Sequence, residues 1–169
     1  MPRSILSRLI HSTEAAAAAE MALVTPLLII LMFGSFELGN YFLSEHVVAK
    51  AVRDGARYAS RQAFANFTCP SSVNSSVVTN TQNLTRTGQV TSGGTARLAG
   101  WTTPTTVSVT VSCTAISGGN YSGIYKGMPN LPKVKVSAIV PYRSLFYVLG
   151  FTRLTPQLVS ESEATVQGI

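Results

Sequence analysis

Any reaction chemistry in this 169-residue chain must be built from two cysteines (Cys69, Cys113), two histidines (His11, His46) and seven carboxylates. A zinc site needs three or four His, Cys or acidic ligands at short, recurring spacings. The cysteines here lie far apart and neither histidine is near them, so no metal site is expected. A Ser-His-Asp arrangement would have to use His46 with Asp54, Glu45, Glu161 or Glu163. No nucleophile elbow, phosphate loop or His-Glu-x-x-His motif surrounds them. Glu161 and Glu163 share one face of a predicted strand, the pattern of a solvated edge rather than of an acid/base pair. The expectation is a non-enzymatic chain with no cofactor and no small-molecule substrate.

The chemistry that remains is cross-linking. Joining Cys69 to Cys113 would close a loop of ~45 residues and contribute ~4 kcal/mol in the chain-entropy description. That requires both sulfurs to lie in an oxidising compartment. The alternative is two free, buried thiols. A membrane question therefore comes first.

Charged residues are 12% of the chain, about half the ~25% of an average soluble domain. The apolar surplus is local. Residues 21–36 carry no charge, an alanine run (15–19) precedes them, and the mostly apolar 38–43 follow. A helix over residues 16–43 is long enough to cross a ~30 Å hydrocarbon core. Glu20 and Glu37 then fall near its edges, where a carboxylate can snorkel to the interface. Arg3 and Arg8 in the short tail place the N-terminus in the cytoplasm. Lys50, Arg53, Arg57 and Arg61 argue the other way, but a long C-terminal domain translocates largely regardless of charge. The cysteines are then outside. A cleaved signal peptide carries its small residues after the apolar stretch; here they come before it.

With a net charge of +6 and a pI near 9.7, nucleic acid has to be considered. No binding motif and no interleaved aromatics accompany the basic residues. Lys50, Arg53, Arg57 and Arg61 are instead expected to meet anionic headgroups or a neighbouring subunit.

The elements that must hold these residues follow from periodicity. Val48, Val52, Ala56 and Ala59 recur at helical spacing, predicting one helix from about Thr13 to Phe64. Ala51, Gly55 and Ala59 form a small-residue ridge on it that would admit another backbone. Val73, Val77, Thr81 and Leu84 predict a short, weak second helix. Residues 85–104 read as loop with few anchors. Thr105–Cys113 alternates strictly, with Val107, Val109, Val111 and Cys113 on one face. A second strand spans Lys133–Val140, and a third spans Leu158–Val166. The run 144–151 is too short to span a membrane and reads as core. The fold class is α+β: a long N-terminal transmembrane helix packed on a small antiparallel sheet. The divisions are a basic leader (1–15), a transmembrane helix (16–43), its extension (44–66) and an outer α+β domain (67–169).

Residues 15–40 and 51–60 together resemble the TadE-like family of minor pseudopilins. The residues in register are Glu20, Pro26, Phe33, Gly34, Glu37, Gly39, Arg53, Asp54, Gly55, Ala56, Arg57, Tyr58 and Ala59. The resemblance implies a structural role in assembling a Flp-type (Tad, tight-adherence) pilus at the bacterial inner membrane. The domain beyond the helix would be periplasmic, and the partners other pilins, pseudopilins and Tad assembly proteins. It also implies processing by a prepilin peptidase. With Glu20 as residue five of the mature chain, cleavage falls between Ala15 and Ala16, where Ala15 replaces the usual Gly. The freed amine of Ala16 would then pair with the Glu20 carboxylate. The competing reading is a signal-anchored envelope or surface domain unrelated to pili. Four Asn-x-Ser/Thr sequences, at Asn66, Asn74, Asn83 and Asn120, matter only to a membrane-glycoprotein version of it.

Overall fold

The computed structural model describes residues 13–103, 106–116, 121–146 and 156–168. The basic leader with Arg3, Arg8 and His11, the sequon at Asn120 and residues 147–151 of the apolar run lie outside the described residues. The chain divides into two compact units, Met1–Asn40 and Tyr41–Ile169.

The first unit consists, in its described part, of the opening stretch of helix α1 (Thr13–Ser60). The remainder of α1 belongs to the second unit. Its end comes four residues before the expected Phe64. Arg61 and Gln62 turn back with N–H bonds to Tyr58 and Ala59 carbonyls at 3.2 and 3.1 Å. This i→i+3 pattern tightens a last turn that lacks a glycine. Phe64 is needed elsewhere: it opens a 3-10 turn (Phe64–Asn66) and meets the Tyr125 ring edge-on at 6.0 Å.

A two-residue hairpin follows, β1 (Phe67–Thr68) with β2 (Ser72–Val73), its turn carrying the cis Cys69–Pro70 bond. Helix α2 (Ser75–Thr87) is capped by Asn74, whose side chain accepts from the Ser76 N–H at 3.0 Å. It runs three residues, Thr85–Thr87, into the part expected to be loop, because Gly88 at φ +82° supplies the left-handed C-cap. Its buried stripe, Val77, Thr81 and Thr85, is mostly threonine, so a hydrophobicity pattern understates it.

Strands β3 (Val107–Ala115), β4 (Asn130–Pro141) and β5 (Gln157–Thr165) form an antiparallel meander in that order. Val109 pairs with Val136, and Val136 with Ser162. This register puts Val107, Val111, Val134, Val136, Ala138, Val140 and Leu158 on one buried face. Ser108, Thr110, Lys135, Glu161 and Glu163 take the other, in the period-2 alternation expected of a half-buried sheet. Val48, Ala51, Val52 and Ala56 of α1 pack into the same core. The α+β architecture, a long helix packed on a small antiparallel sheet, is thus observed.

The segment expected to be loop with few anchors proves to hold a main one. Trp101 is fully buried in the central cluster, and its Nε1–H donates to Thr106 Oγ1 at 2.8 Å. A lone tryptophan among Gly and Thr gives no periodicity, which is why sequence patterning passes over it. The Cys69–Cys113 disulfide is present, with Cα atoms 5.8 Å apart, and joins the β1–β2 turn to β3. The free-thiol alternative is excluded.

Candidate functional site

The residues singled out by sequence lie mainly along α1, and its two stretches treat them differently. From Ala16 to Phe36 every residue is exposed. Leu23 is 80% exposed and Ile30 68%. An 18-residue window here reaches a mean hydropathy of 2.1 with none of it buried. The core helix of a soluble domain would be mostly buried; this stretch is exposed among the described residues. Among the described residues it is the one helix long and apolar enough to cross a membrane, as a single-pass anchor requires. Its two hydroxyls are satisfied internally: Thr25 Oγ1 donates to the Met21 carbonyl at 2.6 Å and Ser35 Oγ to that of Met32 at 2.8 Å. That is the economy hydrocarbon demands, where no water replaces a missing partner.

Glu20 is exposed at the N-terminal side of this stretch, and Pro26 lies within the helix. The bond between Ala15 and Ala16 falls in the first turn of α1. A Cβ added at Gly34 or at Gly39 would meet nothing within 4 Å. Glu37 is half-buried.

In the second stretch, the motif Arg53–Ala59 is divided between the fold and the solvent. Gly55 is buried under α2: a Cβ there would collide with Thr85 Oγ1 and stand 3.4 Å from Thr85 Cβ. Of the Ala51–Gly55–Ala59 ridge, Gly55 is therefore covered by side chains of this chain's own α2, Thr85 and Thr81, while Ala51 and Ala59 pack into the hydrophobic core. Asp54 forms an ion pair with Arg97 at 3.1 Å, tying α1 to the segment before Trp101. The pair is only partly exposed, with side chains at 23% for Arg97 and 35% for Asp54. The Tyr58 hydroxyl accepts from Asn80 Nδ2 at 3.4 Å. The Ser60 carbonyl takes the Gln167 N–H at 2.7 Å, fastening the end of α1 to the segment after β5.

Arg53 and Arg57 point the other way. Both are exposed, as are Lys50 and Arg61, and none of the four is in an ion pair among the described residues. Arg53 Nε donates to the Ala49 carbonyl at 3.2 Å. His46 is exposed on the same helix.

The remaining candidates are dispersed. No group of three or more His, Cys, Asp or Glu able to hold a metal occurs among the described residues. Glu161 sits on the outer sheet face and accepts from Lys135 Nζ at 2.7 Å. That hydrogen bond, opposed by partial desolvation and aided by the charges of Glu161 and Glu163, raises the Lys135 pKa above the ordinary 10.5. Two of the sequons have structural uses instead: Asn74 caps α2, and Asn83 is buried with its Nδ2 donating to the Val90 carbonyl at 3.2 Å. Sequence reasoning missed Arg97 and Trp101, since neither belongs to a periodic element.

No curated protein and no solved structure matched the chain. A family model described as TadE-like protein matches residues 15–57, which takes in the exposed apolar stretch of α1 and the motif as far as Arg57. The match ends before the hairpin, α2 and the sheet begin. Over residues 15–57, then, this chain is similar to the TadE-like family.

Proposed function

We propose that the protein is a minor pseudopilin of the TadE type, a non-enzymatic structural component that assists assembly of a Flp-type (Tad) pilus. The observation that carries this reading is the coincidence of two ranges. The family match covers residues 15–57, and the fully exposed apolar part of α1 runs from Ala16 to Phe36 within it. The family match thus falls largely on a stretch of helix that is exposed among the described residues.

In this reading α1 is anchored in the inner membrane with its N-terminus in the cytoplasm and the disulfide-bonded domain in the periplasm. The oxidised Cys69–Cys113 pair supports the extracytoplasmic side. Prepilin peptidase cuts between Ala15 and Ala16. The new ammonium of Ala16 then lies one helical turn from the Glu20 carboxylate. In a low-dielectric setting that pair specifies register between neighbouring helices, and losing one partner costs ~3–5 kcal/mol. The partners are pilins, pseudopilins and Tad assembly proteins packing along the exposed face of α1.

N-terminal sequencing of the protein from its membrane is the test. A mature chain beginning at Ala16 supports the reading. An intact leader, together with normal pili in a Glu20→Ala strain, would overturn it in favour of a signal-anchored envelope domain.

A further inference from the structure

The cations of α1 occupy a single line. At about 100° per residue, Lys50, Arg53 and Arg57 fall within an arc of about 60°, and exposed Arg61 follows one residue past the end of the helix. Val48, Ala51, Val52, Gly55, Ala56 and Ala59, all buried, centre on the opposite side of the helix. The fold covers the one face, and beside the cations it engages Asp54, about 40° round from Lys50, through Arg97. Within the family-matched segment the division is equally sharp. Asp54 and Gly55 are engaged by Arg97 and Thr85 of the same chain, whereas Arg53 and Arg57 are exposed and take no part in an ion pair among the described residues.

Two kinds of anion could face such a ridge. Lipid headgroups fit it poorly. The ridge runs along the helix axis, and the last of the exposed apolar side chains of α1 is Leu43. Lys50 is ~10 Å of helix beyond Leu43 and Arg57 ~21 Å. Screening at physiological salt has a length of ~8 Å, so the outer cations are beyond effective reach of a surface at Leu43. A protein surface laid along α1 has no such limit. The cations are spaced by ~4.5–6 Å along the axis, which matches carboxylates placed one turn apart on a second helix.

We propose that the Lys50–Arg53–Arg57–Arg61 ridge is a docking surface for an acidic helical face of a partner subunit. It steers and registers that partner more than it adds affinity, as rim charges do. The proposal is independent of Glu20, because the two features lie on different stretches of α1; either can fail alone.

The test is cross-linking of the full chain in its source membrane, with a photo-reactive residue in place of Lys50. Placement at Glu45, off the ridge, serves as the control. The expected result is a protein adduct at position 50 whose cross-linked segment carries carboxylates one helical turn apart. Its yield falls roughly tenfold in an Arg53→Glu/Arg57→Glu chain and recovers when those partner carboxylates are changed to lysine. Folding is followed through the Cys69–Cys113 disulfide and the emission of buried Trp101. If the charge-reversed chain loses either, Arg53→Gln/Arg57→Gln takes its place. Equal yield in the altered chain, adducts confined to phospholipid, or no adduct above the Glu45 control would each overturn the proposal.

Discussion

Gly39 and Gly55 stand on the same helix, yet a methyl group added to the first meets nothing within 4 Å, while at the second it collides with Thr85. The alanines divide in the same way. Ala17, Ala18 and Ala19 are exposed, whereas Ala51, Ala56 and Ala59 are at most 1% exposed. Small residues in the opening stretch of α1 leave open space among the described residues. In the closing stretch they are buried in the core, and Gly55 leaves the space that Thr85 of α2 takes up. The first stretch is governed by its surroundings, a membrane or a neighbouring helix. The second is governed by packing density, where one carbon atom matters.

The largest effect should come from the disulfide that backs the second stretch. Removing it with Cys69→Ser/Cys113→Ser is expected to lower the stability of the outer domain by about 4 kcal/mol. Guanidinium unfolding of the detergent-solubilised chain, followed by the emission of Trp101, measures it. Retention in the membrane should not change; if it does, the two stretches are not governed separately.

The converse substitution is Leu28→Arg, in the middle of the uncharged stretch. It is expected to cost ~3 kcal/mol of insertion free energy and to release protein in carbonate extraction. The Trp101 unfolding curve should stay where it is. A shift of that curve would mean the first stretch contributes to the core after all.

Next in size is the paired glycine test. Gly55→Ala should destabilise by ~1–3 kcal/mol through overpacking against Thr85. Gly39→Ala should leave the domain unaffected and favour the helix by up to ~1 kcal/mol. Equal effects at the two sites would erase the distinction drawn between them. Asn74→Ala, which removes the cap of the helix lying on Gly55, is expected to cost ~1 kcal/mol by the same measurement.

The smallest effect lies on the outer sheet face. Lys135 has a raised pKa in the folded chain, so its contribution is complete below the ordinary value of 10.5 and is lost as pH rises through the raised value. The wild type should therefore be slightly more stable than Glu161→Gln at neutral pH. The gap should close only in strongly alkaline solution. A gap that closes near neutrality would assign it to another group.

Much of this was legible in the chain itself. Strict alternation places Val107, Val109 and Val111 on one face without reference to any partner, because strand side chains alternate by geometry. The uncharged run around Leu28 announces its surroundings for a similar reason: burying a charge there is too costly to occur by chance. The two cysteines, being the only pair, could form only one internal bridge. Less legible were the contacts of the motif. Asp54 has Lys50 and Arg57 as helical neighbours, yet its ion pair is with Arg97. The Ala51–Gly55–Ala59 ridge invites a backbone but does not say whose. Trp101 anchors a segment with no pattern at all.

The sequence by itself determined which face of each element is apolar and where charge is absent, since these follow from residue order and short-range geometry; that the two sulfurs are joined across 44 residues came from the tertiary structure. Only the tertiary structure decided who occupies each face. That choice depends on long-range contacts closed by loops whose length and composition leave many arrangements open. It assigned Gly55 to α2 and Asp54 to Arg97, and it left Lys50, Arg53 and Arg57 of α1, with Arg61 just past its end, exposed.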